Sequence, residues 1–193
     1  MSPPLRRASL ALILLLGAAC SEPAKPAPVL DERHVITVDG TTVRYNGQLL
    51  DWNGTVKDWE KVLGPASRDE EGVATWDDLG FFVFHNRGSP HPTSLAVLFG
   101  RSRHSGASEG TPGHWPAVLF RGRLVVDGTP VHPGLALSAM RRDCGTMHFT
   151  RGYLPTIYTK SSAGYLLGLE FGHDESLTEF SISAQLPPGG SPQ

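Results

Sequence analysis

Cys144 and His148 stand four residues apart, a spacing that on a helix would bring thiol and imidazole to one face, as an activated nucleophile requires. Gly145 between them argues against a helix, and a thiol catalyst also needs a base held by a third group, which no motif supplies. A small buried thiol beside a surface histidine is the simpler expectation. His85, His91, His104 and His114 fall in or beside a single loop, yet zinc needs three or four converging ligands and the close spacings HxH and HExxH are absent. No metal and no cofactor is expected. Asp77 and Asp78 are neighbours, so on a strand they would point to opposite faces, and a turn accounts for both. The sequence lacks GxSxG, a P-loop and a dinucleotide fingerprint, which leaves hydrolase and nucleotide-binding classes without support.

The aromatic residues divide by context. Trp59 and Trp76 lie in apolar periodic segments and are expected in the core. Trp52, between Asp51 and Asn53, and Trp115, in a loop, are candidates for contacting a partner, together with His91 and His104. Asn53-Gly54-Thr55 has the form of a glycosylation sequon, but the same residues read better as the start of a helix.

These groups must be held by elements that the pattern largely specifies. Residues 34–38 and 42–45 are β-branched or aromatic runs separated by Asp39-Gly40, and Asn46-Gly47 then turns the chain into residues 48–50. Val56, Trp59, Val62 and Leu63 have helical spacing, with Thr55 as N-cap, Asp58 returning a bond to the helix start and Gly64-Pro65 as the stop. Residues 73–76 and 81–85 form a hairpin about Asp77–Gly80, and a strand follows over 94–99. Further strands are expected at 117–120, 123–126, 155–159, 164–171 and 178–184, with a helix over 135–142. The architecture expected is α+β, mainly antiparallel, with one or two short helices. Val38-Asp39-Gly40-Thr41-x-Val43 recurs as Val126-Asp127-Gly128-Thr129-x-Val131, which leaves open two similar packed halves or simply a good turn used twice.

The first twenty residues carry Arg6 and Arg7, an apolar run over 10–16, and small residues ending at Cys20. This is the layout of a secretory signal, and its apolar stretch is shorter than the roughly 20 residues that cross a bilayer. Gly17-Ala18-Ala19-Cys20 resembles the lipobox of bacterial lipoproteins, with Gly17 where that family prefers Leu. The resemblance implies diacylation of Cys20 and removal of residues 1–19, and Ser21 after the Cys implies sorting to the outer membrane. An ordinary signal peptide cut nearby is the alternative. Residues 20–33 are then a lipidated Cys and a Pro-rich tether, 34–100 a first half, 101–116 a loop, 117–186 a β-rich second half and 187–193 a disordered tail. With Cys20 acylated, Cys144 is the one remaining cysteine and cannot close an internal disulfide.

The chain has 193 residues, 39% of them apolar, which is enough for one packed core and excludes wholesale disorder. A formal charge of -2 with no basic stripe excludes a nucleic-acid partner held through phosphates. Val43-x-Tyr45-Asn46-Gly47, Trp59-x-x-x-Leu63-Gly64-Pro65 with Ser67-Arg68, and Trp76-Asp77-Asp78-Leu79-Gly80 together resemble a domain-of-unknown-function family of bacterial proteins, over roughly residues 35–100. That resemblance implies an α+β fold and transfers no catalytic residue. A looser likeness of layout is to small outer-membrane assembly lipoproteins. The expected function is that of an envelope lipoprotein without catalysis, anchored through Cys20, binding an envelope protein or glycan through edge strands or the 86–116 loop. The alternatives are a thiol- or metal-dependent envelope enzyme and an immunity-type inhibitor.

Overall fold

A computed structural model describes residues 29–86, 88–100, 115–143 and 147–184. Its strands are β1 (Val35–Asp39), β2 (Thr42–Tyr45), β3 (Gln48–Leu50), β4 (Arg68–Glu70), β5 (Val73–Trp76), β6 (Phe81–His85), β7 (Pro92–Leu98), β8 (Arg123–Val126), β9 (Thr129–Val131), β10 (Thr150–Arg151), β11 (Ile157–Ser162), β12 (Tyr165–Phe171) and β13 (Leu177–Ala184). The helices are α1 (Val56–Leu63) and α2 (Leu137–Asp143). One sheet has five strands in the order β3-β2-β1-β8-β9, and the other has eight in the order β10-β11-β12-β13-β7-β6-β5-β4.

The expected α+β class is therefore corrected: the chain is mostly β. With eight and seven residues, α1 and α2 are too short to form a layer. The two sheets cover each other instead. One cluster of buried side chains takes Ile36, Val38, Val43 and Leu124 from the five-stranded sheet and Val83, Val97, Leu169 and Phe180 from the eight-stranded one. Alternation along the strands of the large sheet places Val73, Phe82, Ala96 and Leu98 on its other face, where they form a second cluster with Trp115 against it.

Local chemistry explains why so many strands form. Asn46-Gly47, Glu71-Gly72, Asp127-Gly128 and Ala163-Gly164 each hold two successive residues at positive φ, the geometry that a tight hairpin turn requires. Helix α1 has the expected capping box. The Asp58 amide donates to Thr55 Oγ1 at 3.2 Å and the Thr55 amide donates to Asp58 Oδ2 at 2.9 Å. Gly64 ends the helix at φ 84, its N–H donating to the Glu60 carbonyl.

Both halves of the chain build both sheets. Antiparallel strands (three in the first half, two in the second), a short helix and a four-stranded meander follow one another twice along the sequence. The junctions differ, because β13 joins β7 antiparallel while β8 joins β1 parallel. No single two-fold rotation therefore relates the halves. The two recurring Val-Asp-Gly-Thr turns lie side by side, since Val38 pairs with Val126, and Asp127 Oδ1 accepts from the Gly40 amide at 2.7 Å. Lys160, on β11, donates to the same carboxylate and ties this turn pair to the large sheet.

Residues 117–120, expected as a strand, join neither ladder. They belong to a strap over 115–122 that carries the chain from the large sheet to the small one.

Candidate functional site

The strap is fastened at both ends. Arg68 Nη2 donates to the Trp115 carbonyl at 2.8 Å, the Ala117 amide to Asp77 Oδ1 at 2.8 Å, and the Phe120 amide to the Leu98 carbonyl at 2.7 Å. Further on, the Asp31 amide donates to the Arg121 carbonyl at 2.7 Å and the Arg123 amide to the His34 carbonyl at 2.8 Å. Between these fastenings the strap crosses Gly80, where a Cβ would stand 2.1 Å from the Phe120 nitrogen. The crossing leaves a cleft of about 260 Å³ between the strap, the first described residues and the turn after Trp76.

The floor of this cleft carries a linked set of ionisable groups. The Arg33 guanidinium embraces Asp31, with Nε–Oδ1 at 2.9 Å and Nη2–Oδ2 at 2.6 Å, and holds that carboxyl well below the usual carboxylate range. His34 Nδ1 lies 2.5 Å from Tyr45 Oη, and its Nε2 faces Asp31 Oδ2 at 4.0 Å. Tyr45 is buried, and burial, followed by the Asp31 charge, raises its phenol above the ordinary value. The hydroxyl therefore keeps its proton, and the direction of its short bond with Nδ1 is set by the tautomer of the His34 ring. His34 thus lines the cleft between the Tyr45 hydroxyl and the Asp31 carboxylate.

The three sequence pieces that carry the family resemblance converge on this scaffold, and nearly all their polar groups are spent in holding it. Trp59 Nε1 donates to the Asp51 carbonyl and Trp76 Nε1 to the Gly64 carbonyl, at 2.8 and 2.9 Å. Arg68 pairs with Asp77 at 2.9 Å, and the Asp77 amide donates to Ser67 Oγ at 3.0 Å. Asn46 clamps the start of β1, accepting from the Val35 amide and donating to the Arg33 carbonyl. Asp78 is the exception. It is exposed, lines the cleft and makes no ion pair or hydrogen bond among the described residues.

The residues singled out from sequence are dispersed. Trp52 is half-buried, donates Nε1 to the Thr41 carbonyl at 2.9 Å and packs on Trp59 and Tyr165, with centroids at 5.1 and 5.2 Å. Trp115 is half-buried on the outer face of the large sheet, edge-on to Phe82 at 5.6 Å. His91 is exposed beside α1, its Nδ1 3.0 Å from the Gly54 carbonyl. Cys20, His104 and Cys144 lie outside the described residues. His148 is exposed with φ 59. Among the described residues no three His, Cys, Asp or Glu side chains converge as a metal site would need.

Sequence reasoning missed one electrostatic feature. Glu170 on β12 stands directly opposite Glu179 on β13, and Leu98 on β7 flanks Glu179 on the other side. Burial first, and the Glu170 charge second, push the Glu179 carboxyl up to about 7. A carboxyl raised in the folded state binds its proton more tightly there than when unfolded. Its stabilising share is therefore complete below pH 4.5 and is lost as pH rises through about 7. Glu179→Gln is accordingly expected to leave stability unchanged at pH 4 and to raise it by up to about 3 kcal/mol at pH 8. Urea unfolding of both chains at the two pH values checks this, and an equal difference at each would refute it.

Two facing sheets with a strapped cleft at one end and an open face on the larger sheet define a two-layer β domain built around surfaces. The chain belongs to the family of the DUF7738 domain of unknown function, which it matches over residues 35–134. The match takes in the whole five-stranded sheet, α1, β4 to β7 and the strap, and stops before α2 and the four strands that complete the large sheet. No curated protein and no solved structure matches the chain.

Proposed function

We propose that this protein is a lipid-anchored component of a bacterial cell envelope, sorted to the outer membrane, whose β domain binds another envelope component, protein or glycan. The observation that carries the reading is the position of Cys20. It ends an export-type signal, and the first strand begins at Val35, fifteen residues on, after a Pro-rich stretch.

The form of the domain suits a binding role on the open face of the large sheet better than at sheet edges. Three of the four edge strands are poor templates for strand addition. Strand β4 reads Arg-Asp-Glu, β10 has two residues, and β9 contains Pro130. The outer face of the large sheet instead exposes Phe84 by 42% and Leu166 by 36%, with Ser94 and Ser183 between them in register.

Metabolic labelling with a palmitate analogue is expected to mark the protein, and Cys20→Ser to abolish the mark. Equal labelling of the two chains would remove the anchor from this account. A photo-crosslinker at Phe84 in the same cells is expected to capture an envelope component, and one at exposed Lys57 on α1 is not.

A further inference from the structure

We propose that the cleft under the strap seats the headgroup of a zwitterionic phospholipid, so that the domain rests on the bilayer with its strap side down. The inference rests on the reading of Cys20 as the anchor. Three features of the site support it independently of one another.

The first is charge. Asp31 is already taken by Arg33, which leaves Arg121 and Asp78 as the cleft's cation and anion without an ion partner among the described residues. A guanidinium suits a lipid phosphate and a carboxylate suits the ammonium of phosphoethanolamine. One of each sign matches a headgroup that carries one of each sign.

The second is the lip. Val118 and Leu119, on the strap, are 44% and 37% exposed, and Val29 at the start of the described chain is 93% exposed. Apolar side chains beside a polar cleft are the arrangement that settles at the boundary between headgroups and acyl chains.

The third is reach. Cys20 lies nine residues before Val29, and a chain of that length spans at most roughly 30 Å. Asp31 is pinned to Arg121 by its backbone, so the tether leaves the domain at the cleft itself. An acylated Cys20 therefore keeps this end of the domain nearest the lipid.

The test uses the protein extracted from membranes, carrying Cys144→Ser and a fluorophore on Leu119→Cys or, in a second chain, on Leu166→Cys. Leu166 lies on the outer face of the large sheet, in the row of Ser183 and Ser94 and away from the Leu98 end where the strap crosses. Each chain is reconstituted in phosphatidylethanolamine vesicles containing a brominated quencher lipid. The label at residue 119 is expected to lose fluorescence and the label at 166 to keep it. Asp78→Asn with Arg121→Gln should restore the fluorescence at 119, as should vesicles of phosphatidylglycerol alone. No quenching at 119, or equal quenching at both positions, overturns the proposal. A parallel chain with Cys20→Ser and a histidine tag in place of residues 1–19 is held on nickel-chelating lipid. Quenching there alongside failed palmitate labelling would retain the headgroup site while discarding the natural anchor. Successful palmitate labelling without quenching would do the reverse.

Discussion

Gly80→Ala is expected to cost the folded state about 3 to 5 kcal/mol. Two causes act together. Gly80 has φ +80, where an L side chain costs about 1 to 2 kcal/mol. The new Cβ would also meet the Phe120 nitrogen at 2.1 Å and the Leu119 carbonyl carbon at 2.5 Å. Both atoms are backbone and the strap is fastened on either side of them, so the neighbour cannot simply rotate away. Gly128→Ala separates the two causes, because Gly128 has φ +78 with nothing within 4 Å of its Cβ position. That variant should show the conformational cost alone. Equal losses in urea unfolding would mean that the strap moves aside freely, and the cleft would then have no fixed shape.

Trp59→Ala should destabilise the domain by about 3 to 5 kcal/mol through the cavity it leaves. The indole is 1% exposed, packs edge-on to Trp52 and donates its N–H to the Asp51 carbonyl. Truncation therefore removes a large apolar contact and leaves a carbonyl without its donor. Trp59→Phe should recover most of the packing and show the smaller cost of the lost hydrogen bond. A loss within error for the alanine variant would place the indole outside the core and α1 outside the cooperative unit.

What the sequence disclosed follows the distance over which each feature is encoded. Asn46-Gly47 fixes a turn by itself, and Thr55 with Asp58 fixes a helix start within four residues, so the first three strands and α1 lie where the pattern puts them. The parallel pairing of β1 with β8 has no such signature. It joins residues as far apart as Gly40 and Asp127, 87 positions, and no turn marks it. The same reach hid the architecture. Short helical patterns at α1 and α2 suggested an α+β class, whereas the larger surface available to each sheet was the other sheet.

The strap shows a further limit. Residues 117–120 have the apolar composition of a strand, but their amides bond to a turn and to the Leu98 carbonyl rather than to a ladder. Only Phe120 among Val118, Leu119 and Phe120 is buried. The cleft likewise draws on 31–34, 78–79 and 118–122, segments far apart in the sequence that no local pattern brings together. Asp77 and Asp78 read alike as turn residues, and the structure separates them, spending Asp77 on Arg68 and Ala117 and leaving Asp78 at the cleft.

The place of β1 within its sheet has a mechanical consequence. It is the middle strand of five, paired along four positions with β2 on one side and along four with β8 on the other. A pull delivered from the N-terminal side runs along this strand, while its antiparallel bonds to β2 lie across it and those to β8 are slanted. The load therefore falls on both ladders together, in shear, and they must yield at once instead of opening one bond at a time. A domain hung by its first residues would transmit tension through its stiffest seam, and its resistance would be set by the rate of rupture rather than by equilibrium stability.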